Sequence, residues 1–318
     1  MDIVLIIIGF VLLLKGADWL VSGSSALAKK FNVSDLVIGL TVVSFGTSAP
    51  ELAINIFAST SDNTELAIGN VLGSNLFNIL VILGTSAIIA PMAVHNNTIF
   101  KEIPFSLLAA LVLGFVTNDI FIDGATSSVI SRSDGLVLLS FFCIFLYYSF
   151  IVAKQSSNDD VEIINEAPAW RGILLTIVGL IALVGGGKLL VDSAVNIARA
   201  WGVSESVIGL TILAVGSSLP ELVTSIVAAR KNMADIVIGN VVGSNIFNIF
   251  LVLGASATIK PLPFQESSNI DEMLVVVMTM VLFFFIFNHK ENQVTRVHGV
   301  IFLLIYAIYI TYVIIAKS

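Results

Sequence analysis

Apolar residues run through this chain in ten long stretches, broken by short polar or charged clusters. They cover residues 3–26, 34–59, 64–90, 102–117, 135–153, 171–197, 204–228, 235–259, 272–288 and 298–316. A helix needs roughly 20 apolar residues to cross the hydrocarbon core of a bilayer. Lipid offers the backbone no hydrogen bonds, so such a segment closes its own, as an α-helix. The pattern predicts an all-α polytopic membrane protein with ten transmembrane helices.

Lysine and arginine accumulate on the inner side of a membrane. With the N-terminus outside, nine lie inside: Lys29, Lys30, Lys101, Lys154, Arg171, Arg230, Lys231, Lys290 and Arg296. Four lie outside: Arg132, Arg199, Lys260 and Lys317. The bias predicts both termini outside and a multi-pass protein of the cell (inner) membrane. A secretory signal opens with a positive stretch. Here Asp2 is the only charge before Lys15, and Lys29-Lys30 close the run, which reads as a retained first span.

The chain repeats itself at an offset of 170 residues. Between 34–91 and 204–261 about half the positions are identical without a gap. Val37-Ile38-Gly39-Leu40-Thr41 returns as Val207-Ile208-Gly209-Leu210-Thr211, and Pro50-Glu51-Leu52 as Pro220-Glu221-Leu222. This predicts one five-helix repeat over 1–154 and another over 171–318. The connection 155–170, with Asp159, Asp160, Glu162 and Glu166, reads as a short acidic inner linker. Five is odd, so the second repeat enters from the opposite face. Inverted repeats are the architecture of secondary transporters, with substrate near the bilayer midplane.

Composition narrows the picture. Only 12% of residues are charged, against about 25% in a soluble domain. The balance of 15 Lys+Arg against 22 Asp+Glu gives a net charge of −7. A soluble enzyme, a disordered chain and a nucleic-acid binder are excluded. The partners expected are membrane lipid and inorganic cations, with no nucleic acid and a functional monomer. Cys143 is the one cysteine, so neither an intrachain disulfide nor a cysteine metal site can form. His95, His289 and His298 lie at the edges of the apolar runs or beyond them.

Two polar blocks occur twice inside apolar runs. Gly46-Thr47-Ser48-Ala49-Pro50-Glu51 is echoed by Gly216-Ser217-Ser218-Leu219-Pro220-Glu221. The segment from Gly69-Asn70 through Gly73-Ser74-Asn75 to Asn78 is echoed by Gly239-Asn240 through Gly243-Ser244-Asn245 to Asn248. A proline inside a helix removes a backbone hydrogen bond and clashes with the preceding turn. Carbonyls near Ser44–Thr47 are then expected to lose helical partners and to line a polar cavity. Thr41, Ser44, Ser48, Glu51 and Asn55 share one helical face, as do Thr211, Ala214, Ser218, Glu221 and Ser225. Asn70, Ser74 and Asn78 form a stripe, and Gly69 with Gly73 reads as a face for close helix approach.

Glu51 and Glu221 are the carboxylates deep within the apolar runs. A carboxylate at such depth is costly and functional by default. Asn78 and Asn248 follow one turn after Ser74 and Ser244 and read as further ligands. Asn70, Asn75, Asn240 and Asn245 suit either ligation or helix–helix hydrogen bonds. Carboxylates, amides, hydroxyls and carbonyls are oxygen donors, which suit hard cations such as Ca²⁺ and Na⁺. Two glutamates neutralise one divalent ion. Ca²⁺ accepts irregular cages of about six to eight oxygens, whereas Mg²⁺ demands a tight octahedron.

The paired segments resemble the α-repeats of the cation/calcium exchanger superfamily, and most closely its prokaryotic Na⁺/Ca²⁺ antiporters. The resemblance covers both repeats and nearly the whole chain. It implies export of Ca²⁺ in exchange for Na⁺ by alternating access, with the first and sixth spans sliding across a core. No cofactor is implied, and the transported ions are Ca²⁺ and Na⁺. Carried over by motif, the ligands are Glu51, Glu221, the hydroxyls of Ser48, Ser74, Ser218 and Ser244, and Asn78. Carbonyls of Ser44, Thr47, Ala214 and Ser217 complete the implied set, and Asn248 is the counterpart of Asn78 in the second repeat. Familiar members carry aspartate at the position of Asn248, so this site holds one potential negative charge fewer.

The alternative is a Ca²⁺/H⁺ antiporter, because two close glutamates also bind protons. An intramembrane hydrolase needs a nucleophile with its base, paired aspartates or a histidine metal motif. The runs contain no such set, and Asp18 is expected to pair with Lys15 one turn away. The protein therefore reads as a transporter and not an enzyme. A channel is disfavoured by duplicated broken helices at midplane.

Overall fold

The computed structural model describes residues 2–60, 64–95, 98–156, 168–202 and 214–317. Helices dominate. They are α1 (Asp2–Lys30), α2 (Asp35–Thr47), α3 (Ala49–Thr60), α4 (Leu66–Ile89), α5 (Thr98–Thr117) and the short α6 (Asp119–Asp123). There follow α7 (Arg132–Ser156), α8 (Ala169–Ala200), the single turn α9 (Ala214–Gly216) and α10 (Leu219–Arg230). The chain closes with α11 (Ala234–Ile259), α12 (Asn269–Asn288) and α13 (Arg296–Lys317). Among the described residues eight helices are long and apolar enough to cross a membrane, or nine if the bent pair α2–α3 counts as one span. The protein is a multi-pass helical membrane protein. The start of the expected seventh span, including Val207 to Thr211, lies outside the described residues.

Most helices outrun their apolar stretches. The run 135–153 lies within Arg132–Ser156, and the run 272–288 within Asn269–Asn288. Hydropathy marks the lipid depth, while the hydrogen-bond ladder continues into the interface. Asn32 and Asn232, at φ 51° and 57°, take the left-handed conformation just past α1 and α10. Four two-residue strands, too short to leave a sequence pattern, clip loops together. Met92–Ala93 pairs with Gln293–Val294, and Val129–Ile130 with Leu262–Pro263.

Chain contacts gather into two units, each drawing on both halves of the sequence. The first is Met1–Pro50 with Leu146–Asn240. Its main feature is the antiparallel pair α1–α8, which meets along glycines spaced seven apart. Gly9 lies against Gly186, Gly16 against Gly179 and Gly23 against Gly172. A Cβ on Gly16 would stand 2.5 Å from Leu183 N and 2.8 Å from Gly179 O. Small residues thus let two backbones pack where lipid provides no hydrophobic drive. Asp18 on α1 pairs with Lys231 at 2.6 Å rather than with Lys15, and the same ammonium donates to Ser22 Oγ at 2.7 Å. Beyond the helix, Lys231 reaches Asp18 from a neighbouring element, a contact invisible to local spacing.

The second unit is Glu51–Phe145 with Val241–Ser318. Its interior helices are α4 and α11, whose apolar windows are 72% and 94% buried, against 11% for α13 on the periphery. Phe105, Phe141, Phe145 and Phe250 pack together where α5 and α7 cover α11, Phe141 stacked on Phe250 and Phe105 edge-on to it. Gly135 and Gly254 let α7 approach α11, and Gly84 and Gly299 let α13 approach α4. Among the described residues nothing comes within 4 Å of a Cβ built on Gly69 or Gly73. The partner of Gly69 implied by the repeat, Gly209, lies outside the described residues. At Gly239, the repeat equivalent of Gly69, close approach is seen within the first unit: a Cβ would meet Leu36 O at 2.7 Å.

Candidate cation-binding site

The proline blocks do break the chain's helices. Pro50 has no N–H to return to Gly46, so α2 stops at Thr47 and bends by 44° into α3. Ser48 carries the break at φ −82°, ψ 2°. Pro50 is then the second residue of α3, where its missing N–H costs nothing. The echo behaves alike: Ser218 sits at φ −92°, ψ 6°, and Pro220 is in the first turn of α10. Each break changes the standing of its glutamate. Glu51 and Glu221 become first-turn residues of new helices, where the N-terminal dipole favours a negative charge. Both are buried, at 1% and 2% exposure.

In the first unit, polar groups of both repeats interlock. Ser48 Oγ donates to Glu221 Oε1 at 3.3 Å. Thr47 Oγ1 donates to Asn240 Oδ1 at 3.2 Å. Asn240 Nδ2 donates to Ser225 Oγ at 3.0 Å and to the Glu221 carbonyl at 3.4 Å. Ser44 Oγ lies 2.7 Å from Gly39 O and 3.1 Å from Asn240 O. The Ser44 carbonyl, expected to be free of helical partners, accepts Ser48 N–H at 2.9 Å and lies 3.4 Å from Thr47 Oγ1. Ser217 and Ser218 are buried in the turn before α10, and Ala214 opens α9. Thr211, expected on the same face, lies outside the described residues.

In the second unit, Asn70 Nδ2 donates to Asn55 Oδ1 at 2.8 Å, and Asn55 Nδ2 to the Ala67 carbonyl at 2.9 Å. The pair Asn55–Asn70 is thus the repeat equivalent of Ser225–Asn240. Ser74, Asn78, Ser244 and Asn248 are all buried. Each asparagine stands at a π-helical segment, Asn78–Ile82 in α4 and Phe247–Leu253 in α11. Wide turns of this kind recur at functional sites. Asn78 Oδ1, Asn248 Oδ1 and Ser244 Oγ are buried without a hydrogen-bond partner among the described residues, as is Glu221 Oε2 in the first unit. A buried acceptor left unmatched costs about 1–3 kcal/mol, more if charged.

Sequence reasoning missed three features. The π-helical turns have no residue signature. Thr47 was read for its carbonyl, yet its hydroxyl orients Asn240. Glu102 and Glu272 are 1% and 5% exposed, and they too are separated by 170 residues, so the repeat carries a second carboxylate pair. Glu272 Oε2 accepts Thr117 Oγ1 at 2.9 Å.

Residues 1–151 and 171–315 match the family described as sodium/calcium exchanger protein. The sodium/calcium exchanger MaX1 of Methanosarcina acetivorans is 31% identical, with 97% of each chain covered. The inner membrane protein YrbG of Escherichia coli is 35% identical over 93% of this chain and 92% of its own length. Among solved structures, the sodium-calcium exchanger NCX_Mj soaked with 10 mM Na⁺ and zero Ca²⁺ superposes with a TM-score of 0.85. It is 36% identical, and 98% of each chain is covered. The chain belongs to the sodium/calcium exchanger family.

Proposed function

We propose that the protein exports Ca²⁺ in exchange for Na⁺ by alternating access. Membership of the family makes it a membrane transporter of inorganic cations rather than an enzyme, and such exchange uses no cofactor. The observation that carries the reading is the chemistry of the buried acceptors. Glu221 Oε2, Asn78 Oδ1, Asn248 Oδ1 and Ser244 Oγ are buried oxygens without a hydrogen-bond partner among the described residues. Oxygen donors with two carboxylates suit Ca²⁺ and Na⁺ and offer nothing soft for zinc or copper. The ligand set we propose is Glu51, Glu221, Ser48, Ser218, Ser74, Ser244, Asn78 and Asn248, with carbonyls of Ser44, Thr47, Ala214 and Ser217.

The remaining organisation is part of the same proposal. Two inverted five-helix repeats, 1–154 and 171–318, are joined by an inner linker, 155–170. Ten spans leave both termini outside the cell (inner) membrane, and the monomer is the working unit. Amides at both Asn78 and Asn248 leave the set with two carboxylates, matched to one Ca²⁺.

The test is Ca²⁺ uptake into proteoliposomes under imposed Na⁺, K⁺ or H⁺ gradients. An outward Na⁺ gradient is expected to drive accumulation, with K⁺ and H⁺ gradients leaving it at the level of empty liposomes. Accumulation driven by the H⁺ gradient alone would establish the Ca²⁺/H⁺ antiporter instead.

A further inference from the structure

Four asparagines close on one another within the second unit, where α4 meets α11. Asn78 Nδ2 donates to Asn245 Oδ1 at 2.9 Å, and Asn248 Nδ2 donates to Asn75 Oδ1 at 3.1 Å. Asn75 Nδ2 and Asn245 Nδ2 reach the opposite backbone carbonyls, Asn245 O at 3.5 Å and Asn75 O at 3.4 Å. All four side chains are buried. The arrangement is crossed: each π-turn asparagine is held by an asparagine of the other repeat. It is also polarised. The Oδ1 atoms of Asn75 and Asn245 are occupied, while those of Asn78 and Asn248 are buried and have no hydrogen-bond partner among the described residues.

A primary amide accepts at one end and donates at the other. A cation takes only the oxygen end. Rotation of Asn78 or Asn248 by half a turn about its last torsion would present an NH₂ group to the ion. Asn245 Oδ1 and Asn75 Oδ1 oppose that rotation, because each would then face another oxygen. We infer that Asn75 and Asn245 are positioning residues, which fix the amides of Asn248 and Asn78 with their oxygens turned toward the transported cation. This rests on Asn78 and Asn248 being ligands. A corollary concerns residue 248. A carboxylate has oxygen at both ends and no polarity to fix. With aspartate at 248, Asn75 Oδ1 would face an oxygen and its positioning role would end.

That difference supplies the test, a double-mutant cycle read in Na⁺-driven Ca²⁺ uptake by the full-length protein in proteoliposomes. Asn75→Leu in the parent is expected to raise the KM for Ca²⁺ roughly tenfold, equivalent to about 1.4 kcal/mol. In the Asn248→Asp background the same Asn75→Leu change is expected to move KM by less than about threefold. The mirror cycle, Asn245→Leu with Asn78→Asp, is expected to behave alike. Where a leucine variant does not purify as a monodisperse protein, Asn75→Ser and Asn245→Ser replace it. A ring that only fastened helices would couple the same positions in melting temperature and leave KM unmoved, and that result overturns the inference. Equal KM penalties in both backgrounds overturn it as well. If Asn248→Ala and Asn78→Ala leave the Ca²⁺ KM unchanged, the ligand reading itself fails, and the positioning role with it.

Discussion

Two pairs of glutamates illustrate how far single residues could be read and where reading stopped. Glu51 and Glu221 stood out because a carboxylate amid apolar residues has no other cheap explanation. Glu102 and Glu272 did not, because they sit at the edges of their apolar runs, where a carboxylate looks solvated. Their burial is a tertiary property: α5 brings Thr117 to Glu272 Oε2, and Gly114 leaves room for Oε1, which would lie 2.5 Å from any Cβ there. The offset of 170 was the signal that could have found the pair. Because Glu272 is outside the proposed ligand set, Glu272→Ala is expected to lower stability without changing the Ca²⁺ KM. Thr117 loses one hydrogen-bond partner and keeps the Leu113 carbonyl, a cost of about 0.5–1.5 kcal/mol. Thermal unfolding of the detergent-purified protein beside an uptake assay checks this. A changed KM with an unchanged melting curve would move Glu272 into the cation path.

At the scale of elements, the sequence announced breaks better than contacts. Pro50 and Pro220 marked helix interruptions because proline acts on its own backbone. Close approach depends on which partner arrives, and the α1–α8 glycines carry no local sign of theirs. Those glycines carry a sharp expectation. Gly16→Ala places a methyl 2.5 Å from Leu183 N, so the two backbones must separate. Overpacking of this kind costs typically about 1–3 kcal/mol. Gly185→Ala, on the same helix α8 with nothing within 4 Å of the new methyl among the described residues, is expected to be neutral or slightly stabilising. Melting temperatures of the two variants decide. Equal values would show that α1 and α8 do not pack through this seam.

At the scale of the whole molecule, the fold class was legible and the assembly was not. Hydropathy supplied the helical membrane character, and the duplicated blocks supplied two related halves. How segments of those halves combine was not written locally, since each compact unit mixes residues from both. Orientation rests on the excess of nine basic residues over four and is open to direct test. In a Cys143→Ala background, cysteine is placed at exposed Ala125 or at exposed Glu291. An impermeant thiol reagent added to intact cells is expected to label Ala125→Cys and spare Glu291→Cys. The reverse pattern would turn the protein over in the membrane and reverse the assignment of its loops.

The central claim is that buried carboxylates carry Ca²⁺ across in exchange for Na⁺. Removing one negative charge from a buried divalent-ion site forfeits several kcal/mol, on the order of a thousandfold in binding. The most direct measurement is initial Ca²⁺ uptake under an outward Na⁺ gradient in proteoliposomes of the parent, Glu51→Gln and Glu221→Gln, each verified as monodisperse before reconstitution. The parent is expected to accumulate Ca²⁺ and both variants to stay at the level of protein-free liposomes. Uptake at the parental rate by either variant would contradict the claim.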